Sequence, residues 1–380
     1  MNNIKNKHIA IIGGGPGGLT LARLLQMNGV QVKVYERDAH KDARAKGATL
    51  DLHEESGLAA LQQAGLMDAF WANYRPGADA LRITDKHASL IHDDDASPRD
   101  ETNRPEIDRG PLQNILLDAL LPHTVAWDSR FVSMLPQGEG WIITFKNKET
   151  VYADMVVAAD GANSKLRPLL TPVKPFYAGV TAIEGAVYNC AVATPNMHKL
   201  LNGGKIFAMG DEKSLIVSSK GDGSLVFYPG FKCSESWVVD IGIDFADKAQ
   251  VLAWFKTEYA GWDGIWLELF ENATMPFIPR PQYCMPPDQT WGAKPNLTIL
   301  GDAAHLMPPY AGEGVNMAMQ DALELSRCLL SEDFPDTLSA IAAYEKQMRA
   351  RAAETIQMTL YSTEALHSPD ALKFMMGVIG

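Results

Sequence analysis

The sequence predicts an α/β chain: a Rossmann-type nucleotide-binding unit, a mostly antiparallel β-sheet domain and a long C-terminal helix. Three observations predict it. A glycine-rich strand–turn–helix opens the chain, and a second one, rich in glycine and proline, lies at 297–330. Between 171 and 291 helical periodicity largely gives way to short β-type runs. At 380 residues the chain also exceeds the usual single-domain size.

The first unit reads as a strand, His8-Ile-Ala-Ile-Ile12, followed by Gly13-Gly14-Gly15-Pro16-Gly17-Gly18 and a helical pattern through Leu24 and Leu25 to about Asn28. A second strand, 30–35, ends at Glu36. This is Gly-x-Gly-x-x-Gly with a strand before it, a helix after it and an acid about 20 residues on. The glycines permit a tight turn, close approach to a pyrophosphate and close helix–strand packing, and Glu36 suits ribose hydroxyls. The motif alone does not choose between NAD(P) and FAD. Downstream, Arg37 and Arg44 are either ligand-facing cations or solvated surface charges.

Residues 54–70 carry an amphipathic helical pattern, and alternation at 80–84 and 89–91 predicts short strands. Asp93-Asp94-Asp95 reads as a solvated acidic turn. Pro105-Glu-Ile-Asp-Arg109 leads into a helix over 111–121, with Pro111 in the first turn, where a missing N–H costs nothing. Arg109 is either a phosphate- or ribose-facing cation or a plain helix-end charge. Strand-like runs follow at 125–127, 141–145 and 152–159; the last ends in Asp160-Gly161, a turn that is either structural or part of the nucleotide site.

Between 171 and 291 strands are predicted at 183–187, 205–209, 215–218, 224–228 and 237–243, with Lys220-Gly-Asp-Gly223 as a hairpin turn and one helix over 248–259. A buried strand, Leu297-Thr-Ile-Leu300, then runs into Gly301-Asp302-Ala-Ala-His305-Leu-Met-Pro308-Pro309-Tyr310-Ala-Gly312-Glu313-Gly314-Val315-Asn316, and a helix follows. Glycine here lets backbone approach a flat ligand, and the helix start directs unpaired N–H groups at it. Asp302 can accept hydrogen bonds from ligand hydroxyls. His305 reads as a structural histidine ahead of an acid or base. Apolar spacing over 338–360 predicts a long helix across both domains, and the tail docks or closes a pocket.

Composition narrows the class. Apolar residues make up 46% and the formal net charge is -12, which excludes a nucleic-acid footprint or an anionic-membrane patch. Cys190, Cys233, Cys284 and Cys328 show no paired spacing, so they read as free thiols of a reducing compartment, with no metal site. No leader or membrane-spanning run is visible, and a cytoplasmic monomer is expected.

With Gly-x-Gly-x-x-Gly early, Asp160-Gly161 in the middle and Gly301-Asp302 late, the chain resembles the single-component (class A) FAD monooxygenases of the aromatic-hydroxylase type over nearly its whole length. Val34-Tyr-Glu-Arg-Asp38, Thr49-Leu-Asp-Leu-His53, the 105–109 stretch and 301–309 are similar to the TetX group of tetracycline-inactivating monooxygenases. The resemblance implies a PHBH-like FAD-binding domain built from 1–73, 105–170 and 293–335, a substrate domain from 74–104 and 171–292, and a bridging helix and tail over 336–380. It implies that Gly13, Gly15, Pro16, Gly17, Gly18, Glu36, Arg37, Asp51, Arg109, Asp160 and Asp302 hold FAD. Backbone of Gly312, Gly314, Val315 and Asn316 would meet the flavin's pyrimidine edge, and Arg44 matches the arginine used towards NADPH. Pro308, Pro309 and Gly312 would line the face where O2 and substrate meet. Where the TetX group grips its substrate with glutamine, arginine, histidine and phenylalanine, this chain carries Glu184, Lys205, Val226 and Val217; Phe207 and Tyr310 complete the expected substrate set. Glu313 replaces a glutamine beside the flavin.

The expected chemistry is NADPH-dependent hydroxylation of an electron-rich polycyclic, phenolic or enolic molecule through a flavin C4a-hydroperoxide, tetracycline inactivation included, with no side-chain nucleophile. The rival readings are a flavin reductase or dehydrogenase and a flavin-binding sensor. A flavin halogenase lacks support, because the chain carries no Trp-x-Trp-x-Ile-Pro run.

Overall fold

The computed structural model describes residues 4–43, 49–94 and 104–379. In chain order its strands are β1 (His8–Ile12), β2 (Gln31–Tyr35), β3 (Thr49–Asp51), β4 (Leu81–Asp85), β5 (Leu90–Asp93), β6 (Glu106–Asp108), β7 (Val125–Ala126), β8 (Phe131–Gln137) and β9 (Gly140–Phe145). There follow β10 (Thr150–Ala153), β11 (Met155–Ala158), β12 (Phe176–Val187), β13 (Lys205–Gly210), β14 (Lys213–Ser219), β15 (Leu225–Lys232), β16 (Thr274–Cys284) and β17 (Leu297–Ile299). The helices of eight residues or more are α1 (Pro16–Met27), α2 (Arg109–Asp118), α3 (Lys248–Glu258), α4 (Gly314–Leu330), α5 (Thr337–Leu366) and α6 (Ala371–Ile379).

The nucleotide-binding unit is a parallel sheet of order β17-β11-β1-β2-β7. Its middle strands are continuous apolar runs because helices cover both faces of a parallel sheet. β11 is buried throughout, and so are the last four residues of β1. The sheet takes β17 from late in the chain, so both glycine-rich turns leave the same edge of it. α1 and α4 then pack side by side, and the core between sheet and helices includes Ile11, Leu19, Val157, Met319 and Tyr344. α5 is tied to the sheet by Tyr344, whose hydroxyl donates to the Ile299 carbonyl at 2.9 Å.

The second layer is a seven-stranded sheet of order β16-β12-β15-β14-β13-β4-β5, antiparallel except for the β13–β4 pair. Register sorts its side chains into two faces. One face, with Ile206, Val217 and Phe227 in line, is buried against α3 and Phe270. The other carries a row of Lys205, Ser218 and Val226, then Phe207, Ile216 and Tyr228, then Met209, Ser214 and Gly230. This second face turns towards the nucleotide-binding unit, since Thr49 Oγ1 on β3 lies 3.2 Å from Ser218 Oγ.

Several local expectations change. Residues 54–70 form three short helical pieces, Glu54–Leu58, Ala59–Gln63 and Met67–Trp71; the break falls at Gly65, whose φ of +71° is outside helical space. The run 152–159 is two strands in two sheets, parted at Asp154, whose carboxylate accepts the His8 N–H at 2.7 Å. The run 237–243 is not a strand: Trp237–Asp240 is a helical turn that seats the Trp237 ring against Phe231 and Trp254. Further short helices at Cys190–Ala193, Pro195–Leu201 and Leu267–Glu271 accompany α3. Asp93 pairs with Arg82 at 3.0 Å and Asp94 accepts the Leu81 N–H at 2.9 Å, so these two acids are structural; Asp95 lies outside the described residues. β8 and β16 carry no sequence expectation. β16 contains Pro276, Pro279 and Pro281, which read as breakers, but it is an edge strand, where a missing N–H faces no partner.

Candidate flavin site

The site begins where β1 ends. Gly13 has φ +118°, and a Cβ there would stand 2.1 Å from the Ala159 carbonyl oxygen, so only glycine lets the turn pass the end of β11. Gly17 faces α4: an added Cβ would meet Ala318 O at 2.7 Å and Leu300 Cδ1 at 2.8 Å. The two glycine-rich stretches therefore touch. Gly15 caps α1 with no side-chain hydrogen bond, and Pro16 removes one N–H, leaving the helix start bare for an anion. Gly18 sits buried in the first turn.

Glu36 lies at the end of β2, buried, with Oε2 accepting the Gly14 N–H at 2.7 Å and Oε1 accepting that of Asp38 at 2.9 Å. These donors fix the carboxylate beside the glycine turn and leave lone pairs for a diol. Arg37 is exposed next to it, and Arg44 lies outside the described residues. At the end of β11, Asp160 Oδ2 accepts the Lys165 N–H at 2.7 Å, while Oδ1 is buried without a partner and burial pushes the carboxyl up. An orphaned acceptor beside the turn fits a ligand donor there.

The late loop is held from behind. Asp321 on α4 accepts the Gly301 N–H at 2.9 Å, His305 Nε2–H at 2.6 Å and Arg351 Nη2–H at 3.0 Å. Arg167 donates to the Ala303 and Asp302 carbonyls at 2.5 and 2.9 Å, joining the Asp160 turn to the loop. The Asp302 side chain makes no hydrogen bond among the described residues. Burial raises its pKa, against the charges of His305, Arg109 and Arg167. Arg109 is exposed at the start of α2. Pro308 is buried and Pro309 exposed, and Gly312 turns back at φ +74° against Asp51.

Gly314 and Val315 open α4, whose cap residue Glu313 makes no capping bond. Asn316 in the same turn is fully buried: its Nδ2–H donates to Asp51 O at 2.9 Å and its Oδ1 accepts the His53 N–H at 3.0 Å. That clamp sets β3 against the helix start. His53 Nε2 lies 3.1 Å from Asp51 and Nδ1 3.5 Å from Glu313, with Arg104 3.9 and 3.8 Å from the same two carboxylates. Burial pushes the His53 pKa down, but the bonds and charges of Asp51 and Glu313 outweigh it and carry it up to about 9. Burial likewise opposes ionisation of Asp51, yet His53, Lys205 and Arg104 together hold that carboxyl below its ordinary range.

Of the expected substrate positions, Lys205 and Val226 share the first row of the inward face, and Phe207 lies in the second. Lys205 is ion-paired with the buried Glu106 of β6. Glu184, on β12, is paired with Arg280 at 2.9 Å. Tyr310 reaches the third row, its hydroxyl 3.0 Å from where a Gly230 Cβ would be. Val217 is a correction: it is fully buried on the opposite face with Ile206 and Phe227, so it presents nothing to the ligand side. Arg167 and Asp321 went unassigned in the sequence. The available signals were an arginine closing the Asp160 turn and a lone acid on the apolar side of α4.

The FAD binding domain family matches residues 6–218 and 292–359. Monooxygenase asqM of Emericella nidulans is 27% identical over 92% of this chain and 93% of its own length. The 3-amino-4-hydroxybenzoate 2-monooxygenase PtmB3 of Streptomyces platensis is 27% identical, covering 97% of this chain and 91% of itself. A solved Photorhabdus luminescens structure superposes with TM-score 0.79 at 26% identity, over 95% of this chain and 98% of its own. Tetracycline destructase Tet(55) has the same fold, with TM-score 0.77 at 20% identity over 100% and 96%. No helix among the described residues is long and apolar enough to cross a membrane. The early glycine turn, Glu36 and the late Gly-Asp loop meet at one edge of one sheet, and the chain belongs to the FAD binding domain family, among the class A FAD-dependent monooxygenases.

Proposed function

We propose that the chain hydroxylates an electron-rich polycyclic phenol or enol with O2 at the expense of NADPH, tetracyclines being one candidate class. The observation that carries this reading is the juxtaposition of the 308–316 turn with the inward sheet face. Tyr310 stands over the third row of that face, and the β3–β6 pair abuts the first through Lys205–Glu106 and Thr49–Ser218. Phe207, Ile216, Tyr228 and Glu184 lie between as a floor broad enough for fused rings.

Bound FAD would accept a hydride and activate O2. The protein's part is to hold and exclude. Glu36 would take the adenosine ribose, the bare start of α1 the pyrophosphate, and Asp302 and Arg109 the chain between. The N–H groups of Gly314 and Val315 would favour negative charge on the ring edge nearest them. Lys205, ion-paired with Glu106, would attract an ionised substrate oxygen, as a point charge without a guanidinium fork. Glu184 is neutralised by Arg280, so the floor carries little net charge. Arg44 is proposed for NADPH. Tests use a panel of tetracyclines and polycyclic phenols scored by NADPH oxidation and product mass. A gain of one oxygen supports hydroxylation; NADPH oxidation with a reduced substrate and no oxygen gained would assign a reductase, and a substrate dehydrogenated without NADPH consumption a dehydrogenase.

A further inference from the structure

Three polar atoms converge over Gly230. A Cβ on that residue would stand 2.6 Å from Ser214 Oγ, 2.9 Å from His367 Nε2 and 3.0 Å from the Tyr310 hydroxyl. They come from three parts of the fold: Ser214 from β14, His367 from the end of α5, and Tyr310 from the 308–312 turn. The His367 and Tyr310 rings meet edge to face, 5.1 Å apart at 76°.

Chemistry orders them. His367 Nδ1 lies 2.8 Å from the Thr363 carbonyl, which can only accept, so Nδ1 carries the proton. Burial pushes the His367 pKa down, leaving the ring neutral and Nε2 with a lone pair. Ser214 Oγ–H therefore donates to Nε2, at 3.1 Å. The serine oxygen keeps its lone pairs for the Tyr310 hydroxyl, which stands beside it over Gly230. The chain runs one way, from Tyr310 through Ser214 to His367.

We propose that His367 is a positioning residue: through Ser214 it latches Tyr310, and with it the 308–312 turn, onto the sheet in the place that bound FAD requires. The latch rests on the reading that this turn lies against the flavin. It joins the C-terminal helix to the cofactor loop by polar groups that only one protonation state of the imidazole allows. Around His367 the other charged or titratable groups are Lys232 on β15, Glu364 on its own helix, Tyr310, and Tyr259, whose hydroxyl donates to the Ser214 and Gly230 carbonyls from behind.

The test measures the dissociation constant for FAD on the full chain, by flavin fluorescence from pH 5 to 8. Tyr310→Phe, Ser214→Ala and His367→Phe should each weaken binding about 5- to 10-fold at pH 7.5. The Tyr310→Phe/Ser214→Ala pair should be no worse than either alone, because both cut one chain. His367→Gln offers an acceptor near Nε2 and should restore most of the affinity. Protonated His367 is a donor at both nitrogens and cannot accept from Ser214, so affinity should fall with pH in the natural protein and hold level in His367→Gln. Melting of the FAD-free variants identifies any that fail to fold, and Tyr310→Phe, which removes one oxygen and keeps the ring, carries the test if His367→Phe does. Unchanged FAD affinity across the set, additive losses, or an acid limb that persists in His367→Gln overturns the latch. Those results leave the proposed hydroxylation standing, whereas coupled FAD losses with no oxygenated product would sink the hydroxylation and keep the latch.

Discussion

His305 Nε2 lies 2.6 Å from Asp321 Oδ2, with both side chains shut off from solvent. Burial alone would favour neutral forms, but their mutual charge and hydrogen bond raise the histidine and lower the aspartate. The pair is thus an ion pair, and its second carboxylate oxygen meets Arg351.

Replacing Asp321 by Ala leaves a buried imidazole and the Gly301 N–H without their acceptor. Loss of one partner of a buried pair costs about 3–5 kcal/mol. A drop in denaturation midpoint of that size is expected, with weaker FAD binding because Gly301 and Asp302 sit on the freed loop. The pH dependence has two limbs. The lowered aspartate contributes stability that is present above its unfolded pKa, about 3.9, and lost on acidification; the raised histidine contributes below its unfolded value, about 6.5, and loses it as pH rises through the folded one. Asp321→Ala should flatten both limbs in thermal unfolding.

Glu36→Gln keeps the volume and removes the charge that accepts from Gly14 and Asp38. FAD affinity should fall about 10-fold, measured by fluorescence titration, beyond any loss in melting of the FAD-free protein from the amide nitrogen that now faces one of the two N–H donors. Equal affinity would remove Glu36 from the cofactor's contacts.

Gly17→Val forces a side chain into the α1–α4 contact, where Ala318 O and Leu300 Cδ1 already stand within 2.8 Å of the first added carbon. Overpacking of this kind costs roughly 1–3 kcal/mol. Chemical denaturation should show that loss together with reduced FAD uptake.

The parts legible in the sequence were those where backbone geometry restricts residue type. Gly13 is fixed by a positive φ and a close approach and Gly17 by close approach alone, and the late Gly/Pro loop announced itself the same way. Short β-prone apolar runs between turns, such as β13 and β14, were equally plain. What escaped depended on tertiary partners. Trp237 is β-prone, yet three aromatic neighbours seat it on a helical turn; Val217 and Val226 look alike, and only register sends one to each face. Arg167 donates to backbone 135 and 136 residues away, and Asp321 accepts from backbone 20 residues away, so neither partner is visible from local pattern.

The His53 cluster makes an alkaline prediction. Its folded pKa of about 9 exceeds the unfolded value of about 6.5, so its stabilisation is full below the latter and is lost as pH rises through about 9. Melting temperature should fall between pH 7 and 10. Glu313→Gln, which removes one of the two carboxylates on the imidazole, should shift that fall towards neutral pH. An identical profile in the variant would show that Glu313 does not hold the proton.

Reaction of the FAD-loaded protein with NADPH under 18O2, followed by mass spectrometry of whichever tetracycline or polycyclic phenol speeds NADPH oxidation, tests the central claim most directly. The account predicts a product heavier by a single oxygen that carries the 18O label. A converted substrate without label, or with oxygen drawn from water, would contradict it.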